Sequence, residues 1–410
     1  MRKLKIGVVG LGQRGYSLLS PLLAINSAVI TAVCDKYEDR VERAVKLITD
    51  KYDAPQTFTN FNEFLQKGDF EAVLICTCWK EHVKMSVECM KAGKITAMEV
   101  GGAETVEECW ELVDTYEKTK TPFFFLENCC YDRFELLSLN LARAGKLGEI
   151  VHCKGTYAHD LRDEVLGGYV NRHYRIDEYA TRNCENYPTH ELGPIAKILC
   201  VNRGNKMNSL VAVSSKGVGL SAFAKTDKNP DKSVENKTFK QGDIVNTIIT
   251  CENGETILLT LDTTLPRFDS RDFTVRGTKG FTSGEENLVF LEEKDNPHEF
   301  FETEKSIAKY LNSADGYGEY LPDFWTNITE EERELGHGGM DYFMLCDFVK
   351  RALADKDFTI DVYDAASWMV ITALSAKSIE QGGAPQQIPD FTRGEWKNRP
   401  VVDVIETKKS

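Results

Sequence analysis

Lys3-Leu4-Lys5-Ile6-Gly7-Val8-Val9-Gly10-Leu11-Gly12-Gln13-Arg14-Gly15 carries a short apolar run straight into the pattern G-x-G-x-x-G and then into an apolar segment of helical period. Strand, glycine loop and helix in that order make a turn suited to phosphate. Gly10 permits the tight turn, Gly12 lets backbone approach a pyrophosphate, and Gly15 lets the helix pack on the strand, while the helix N-terminus meets the phosphate charge. A glycine triplet alone says little. A second apolar run, Val29-Ile30-Thr31-Ala32-Val33-Cys34, ends in Asp35, about twenty residues beyond the loop, where a carboxylate accepts from both ribose hydroxyls. That carboxylate repels a 2′-phosphate, so the spacing favours NAD over NADP.

The alternation continues outward from this unit. Glu71–Cys76 reads as a buried strand, Lys80–Ala92 as a helix closed by Gly93, Ile95–Glu99 as a strand, Val106–Lys118 as a helix and Pro122–Glu127 as a final strand. This rhythm predicts a doubly wound parallel sheet over residues 1–127, with its ligand at the carboxyl ends of the strands. Trp79, Glu81, His82, Glu99, Val100 and Asn128 all fall at those ends.

Beyond Asn128 the pattern changes to period two, in 150–157, 210–214, 243–251, 256–262 and 273–276, broken by turn signals such as Asn253-Gly254. The expectation is an α+β domain over 128–410 with a mostly antiparallel open sheet, ending in helices over 339–353 and 363–380. The polar stretch 226–242 reads as a long surface loop.

The chain has 410 residues, 42% hydrophobic content and a net charge of -14. Such acidity argues against nucleic acid or an anionic membrane as the partner, since both need clustered Lys and Arg. A small molecule or glycan fits better. No apolar run reaches membrane-spanning length and strand one begins at once, which predicts a cytoplasmic protein. The twelve cysteines are scattered without zinc spacing and are expected as reduced core residues, so no metal is assigned. The open sheet face suggests a homodimer or homotetramer.

Reactive side chains are densest between Tyr157 and His190. The segment Asn186-Tyr187-Pro188-Thr189-His190 leads into an apolar helix, with Thr189 expected as its cap. Tyr187 and His190 lie one turn apart, and a Tyr and a His sharing a site suit proton abstraction beside a carbonyl. A histidine that satisfies a backbone carbonyl and a tyrosine that packs in the core fit the pattern equally well.

The chain resembles the glucose-fructose oxidoreductase and inositol dehydrogenase superfamily and, within it, glycoside hydrolase family 109, the NAD-dependent α-N-acetylgalactosaminidases. The resemblance rests on Gly10–Gly15, Trp79 with His82, Glu99-Val100, Glu127-Asn128, His159–Arg162, Tyr187–His190, Asn202–Asn205, Asp262–Arg267, Gly336–Asp341, Asp361–Ala366 and Pro389–Gly394, and spans nearly the whole chain. It implies a Rossmann domain that binds NAD, and hydrolysis through transient oxidation at carbon 3 of the sugar, elimination, water addition and return of the hydride. It makes His190 and Tyr187 the acid/base pair and puts Gln13, Arg14, Asp35, Trp79, His82, Glu99, Val100 and Asn128 around NAD. Tyr157 and Arg175 contact the sugar, Arg175 also on the cofactor side.

Two positions set this chain apart. Sugar dehydrogenases of the superfamily carry Glu-Lys-Pro where this chain reads Glu99-Val100-Gly101, and the absent lysine argues for the hydrolase branch. Where the family places a sugar-contacting tyrosine, this chain has Asp269, which leaves the particular sugar and anomer open. Two other readings stand beside the glycosidase: an NAD-dependent sugar or polyol dehydrogenase using His82, Tyr187 or His190 as proton acceptor, and a non-catalytic sensor of NAD or sugar.

Overall fold

The structure, a computed structural model, describes residues 2–404. The described chain divides into two compact units: residues 2–131 together with Asn327–Met369, and Asp132–Thr326 together with residues 370–404.

The first unit is built on six strands, β1 (Leu4–Val9), β2 (Ala28–Cys34), β3 (Gln56–Phe58), β4 (Ala72–Ile75), β5 (Ile95–Met98) and β6 (Phe123–Phe125), in the order β3-β2-β1-β4-β5-β6. All five pairings are parallel. Ala72-Val73-Leu74-Ile75 and Phe123-Phe124-Phe125 are buried at every position, as parallel strands covered on both faces require. The order reverses between β1 and β4, which puts the crevice for a ligand at their carboxyl ends. The helix after the glycine loop comes in two pieces, Gln13–Ser17 and Leu19–Leu23, because Pro21 has no N–H for the carbonyl of Ser17. Helix Val106–Thr119 starts at a reciprocal cap in which Thr105 and Glu108 satisfy each other's backbone N–H groups.

The division expected at 127/128 differs from these units, because Asn327–Met369 returns to the first. Apolar packing and sheet-edge bonding draw it there. The ring of Phe348, on helix Met340–Ala354, stacks on Phe124 at 5.6 Å, and the N–H of Phe125 donates to the carbonyl of Ile360 at 3.0 Å. Strand β6 would otherwise leave an open edge.

The second unit holds β7 (Ile150–Ala158), β8 (Met207–Ser214), β9 (Ile244–Cys251), β10 (Thr256–Asp262), β11 (Thr274–Gly277), β12 (Gly280–Ser283), β13 (Leu288–Leu291) and β14 (Gln386–Gln387). Their order is β13-β12-β11-β7-β10-β9-β8-β14, antiparallel except for the pair β7/β10. The fold class is the expected one: a parallel Rossmann-type sheet followed by a mostly antiparallel one. Helix Thr189–Ile198 lies tight on β7 because Gly155 has no side chain; a Cβ there would stand 2.5 Å from that of Glu191. The stretch 226–242 is loop apart from short turns such as the 3₁₀ turn Lys232–Val234. None of the twelve cysteines is in a disulfide, and most of them are buried. Among the described residues no helix is long and apolar enough to cross a membrane.

Candidate active site

The glycine loop has the shape its spacing predicts. Gly10 sits at φ +87°, and a Cβ on it would come 2.5 Å from the backbone carbonyl of Cys76; on Gly15 it would meet the carbonyl oxygen of Gly10 at 1.8 Å. Neither position tolerates a side chain. At Gly12 an added Cβ would meet only the tip of Arg40, at 3.4 Å, so the glycine that must face a pyrophosphate stands open. Asp35 accepts from the N–H of Leu11 at 2.7 Å and from that of Tyr37 at 3.0 Å, which fixes its carboxylate beside the loop. Arg40 stands 3.7 Å from the same carboxylate. An open glycine cradle beside an anchored carboxylate fits NAD.

At the strand ends the first unit builds a charged network around Arg14. Its guanidinium donates to Asp341 at 2.7 and 2.9 Å and to Glu99 at 2.8 Å, and Asn128 donates to Asp341 at 2.8 Å. Burial opposes ionisation of Asp341, but Arg14 and His337 outweigh it and hold that carboxyl well below the usual range. Glu99, buried beside the same arginine, is shifted upward because desolvation dominates there. The side chain of Arg14 is thus spent on its own fold, which leaves the backbone of Gln13 and Arg14 to face a ligand. Composition and spacing gave Asp341 no role. Its signal was the run Gly336-His337-Gly338-Gly339, all at positive φ: a Cβ on Gly336 would lie 2.4 Å from the Asp341 carboxylate.

Position 101 explains the missing Glu-Lys-Pro. Gly101 has φ +77°, which proline cannot adopt, and a Cβ there would touch the indole nitrogen of Trp79 at 2.5 Å. Val100 before it is buried, so this place holds an apolar side chain where a dehydrogenase has its amine. His82 is also buried, its ring spanning the carbonyls of Thr77 at 3.1 Å and Gly101 at 3.3 Å. Desolvation lowers its pKa to about 4, against partial compensation from those bonds. Neutral and tied to backbone, His82 shapes the loop of Gly101 and is a poor proton acceptor.

In the second unit, Tyr157, Tyr187 and His190 form one aromatic cluster. Tyr157 is the last residue but one of β7, Tyr187 precedes helix Thr189–Ile198, and His190 lies in its first turn. Ring centres are 4.5 Å apart for Tyr157 and Tyr187, 5.7 Å for Tyr157 and His190, and 4.8 Å for Tyr187 and His190, the last pair at 89°. Arg175 lies over the Tyr187 ring at 5.2 Å and donates to Glu164 at 2.9 Å. Burial pushes the Tyr157 phenol up despite Arg175, so it stays protonated and able to donate. Thr189, expected as the cap, lies inside the helix. Pro188, already at helical φ −72°, takes the cap position instead, and no side chain caps there. Asp269 lies on an exposed loop and pairs with His159. Sequence reasoning counted His159 among the reactive side chains without giving it a role, and left Glu164 out, because their partners come from other segments.

A parallel sheet with this loop, followed by a mostly antiparallel sheet carrying a Tyr-His cluster, defines a protein of Rossmann-type oxidoreductase fold with an attached α+β domain. Residues 4–126 match the model of the oxidoreductase family with an NAD-binding Rossmann fold, and 131–398 that of the glycosyl hydrolase 109 C-terminal domain. An α-N-acetylgalactosaminidase of Tannerella forsythia is 36% identical over 97% of this chain and 88% of its own length. One of Bacteroides fragilis is 37% identical over 96% and 93%. The chain belongs to glycoside hydrolase family 109. Among solved structures, myo-inositol 2-dehydrogenase from Lactobacillus plantarum matches with a TM-score of 0.67 at 15% identity, covering 95% of this chain and all of that one. An Agrobacterium radiobacter oxidoreductase in complex with NAD+, L-tartaric acid and magnesium also gives 0.67, at 13% identity over 95% and 99%. At these identities the likeness concerns the fold.

Proposed function

We propose that the protein is an NAD-dependent exo-glycosidase that removes terminal N-acetylgalactosamine, or a closely related hexosaminide, with no net redox change. The observation that carries this reading is the Tyr157–Tyr187–His190 cluster in a family 109 chain whose first unit has an open glycine cradle beside Asp35. Held there, NAD would supply reversible hydride acceptance at carbon 3 of the sugar.

The chain's own residues do the rest. Gly10, Gly12 and Gly15 with the backbone of Gln13 and Arg14 would hold the pyrophosphate, and Asp35 the ribose hydroxyls. Trp79, His82, Glu99, Val100 and Asn128 shape the strand ends beside them. A ketone at carbon 3 acidifies the proton on carbon 2, which Tyr187 and His190 remove and later restore. Tyr157 and Arg175 orient the sugar, the phenol by donating a hydrogen bond and the guanidinium through its fixed fork. Elimination then releases the aglycone and water adds in its place. The dehydrogenase reading is weaker here, because Val100 offers no proton acceptor and His82 is buried against two carbonyls that hold its ring in place. Unbridged cysteines suit a reducing compartment such as the cytoplasm. The reading includes a homo-oligomer through the open sheet face, where Val213 and Ile248 are exposed.

The test is to incubate the protein and NAD with α- and β-nitrophenyl N-acetylgalactosaminides while recording nitrophenol and nicotinamide absorbance together. The reading expects nitrophenol well beyond the amount of NAD, from one anomer, without accumulating NADH. Stoichiometric NADH from free sugars or polyols, with no nitrophenol, would replace it with the dehydrogenase.

A further inference from the structure

An exo-glycosidase holds the sugar it removes, while the rest of the glycan runs out to solvent past the edge of the site. The loop 265–272 lies at that edge of the Tyr157–Tyr187–His190 cluster. His159 links the two. Its ring meets that of Tyr157 edge to face at 6.5 Å and 80°, and its Nδ1 pairs with the carboxylate of Asp269.

The loop is braced along its length. Ala158 bridges Ser270 in antiparallel fashion with bonds of 3.2 and 2.9 Å, and that register, continued by one residue on each side, sets Asp269 opposite His159. The N–H of Thr156 donates to the carbonyl of Arg271 at 2.6 Å, and the Arg271 guanidinium is held by Glu135 at 2.6 Å and Asp132 at 2.8 Å. The hydroxyl of Ser270 donates to Glu285. Arg267 closes the other end, with Nη1 donating to Asp262 at 2.8 Å and Nε to the carbonyl of Phe268 at 3.0 Å. Out of this fixed backbone stands Phe268, 70% exposed, with the Arg267 guanidinium over its ring at 5.6 Å. Where the family's sugar-contacting tyrosine gives way to Asp269, an aromatic ring thus stands one residue earlier.

A ring on so firmly held a backbone loses little freedom when a ligand covers it, so little of the contact is offset by ordering. A pyranose suits the place. One face of it is made of C–H groups that pack on an aromatic ring, and its hydroxyls can bond the charged groups of Arg267, Asp269 and Glu285, which a wholly apolar partner would strip of water. We propose that Phe268 is a platform for the leaving-group side of the substrate, stacking the sugar ring to which the terminal N-acetylgalactosamine is joined; this rests on the glycosidase reading above. Its part is selection: it favours glycans whose next residue is a pyranose over substrates with a short aglycone.

Phe268→Ala and Phe268→Tyr are compared with the unaltered protein on two substrates of the accepted anomer: methyl N-acetylgalactosaminide, and the disaccharide in which methyl galactoside replaces methanol as the aglycone. Released N-acetylgalactosamine is followed over a range of substrate concentrations, so that KM and kcat are separated. The unaltered protein is expected to show a KM for the disaccharide about ten-fold below that for the methyl glycoside. Phe268→Ala should raise the disaccharide KM by about the same factor, with its kcat and the KM of the methyl glycoside changing by less than about two-fold. Phe268→Tyr, which keeps the ring, should keep the preference. Equal KM values for the two substrates in the unaltered protein, or equal changes on both in Phe268→Ala, would overturn the assignment. If the unaltered protein cleaves neither substrate, the glycosidase reading itself fails, and the role of Phe268 with it.

Discussion

The glycine loop of the first unit and the aromatic cluster of the second are both expected to meet ligand, yet they are held in place by different means. Around Gly10, Gly15, Gly101 and Gly336, backbone conformation and close approach leave no room for a side chain, and buried ionic bonds from Arg14 and Asp341 tie the strand ends together. Around Tyr157, Tyr187 and His190, rings pack edge to face and Arg175 lies over one of them, while His159 and Asp269 stand at an exposed rim. A cradle for a constant cofactor can be rigid. A site that must pass protons needs side chains able to move between donor and acceptor roles.

The contrast can be broken first where the chemistry is densest. His190→Ala and Tyr187→Phe should each lower turnover by about 10²–10⁴-fold while the unfolding midpoint stays near that of the unaltered protein. A fall below ten-fold in both would remove them from proton transfer. Substitutions in the first unit should show the reverse pattern, with stability lost before chemistry. Asp341→Ala takes from Arg14 the carboxylate it bonds twice and from Asn128 its acceptor, and should cost about 3–5 kcal/mol in denaturant unfolding. Because the Asp341 carboxyl is held below its usual range, its contribution is present in full above about pH 4 and is lost as pH falls further. The variant should therefore lose less stability than the unaltered protein on going below pH 4.

His82 gives a smaller effect in a different window. Its folded pKa of about 4 lies below the ordinary 6.5, so the unfolded chain binds the proton more readily. Stability should fall by about 3 kcal/mol as pH drops from about 6.5 to about 4, and His82→Gln should flatten that slope. A slope unchanged in the variant would mean that another group titrates there. The smallest effect concerns cofactor choice. Asp35→Ser removes the charge that repels a 2′-phosphate and leaves Arg40 beside the loop, which should move the NAD/NADP affinity ratio about ten-fold or more toward NADP.

How much of this was legible depended on how local the determinants are. The glycine loop, Asp35 and the alternating strands are set by short segments whose spacing carries their geometry. The cluster was half legible: Tyr187 and His190 are neighbours in sequence, but the third ring arrives from β7, and only Gly155 lets the helix lie close enough to meet it. Asp341 was legible only as the end of the Gly336–Asp341 run, without a role, because a domain boundary drawn at residue 127 hides a segment that returns to cover β6. The pair of His159 and Asp269 follows from strand register, which no local pattern reports. Thr189 misled because a proline ahead of it was already helical.

The central claim is that glycoside cleavage passes through a carbon 2 proton transfer and a retained hydride. It is tested most directly by turning over a glycoside carrying deuterium at carbon 3 in ordinary water, and its unlabelled counterpart in D₂O, and analysing the released sugar by mass and NMR. The account predicts that the label at carbon 3 is kept and that solvent deuterium enters at carbon 2. Released sugar with no deuterium from solvent at carbon 2 would contradict it and point to direct displacement at carbon 1.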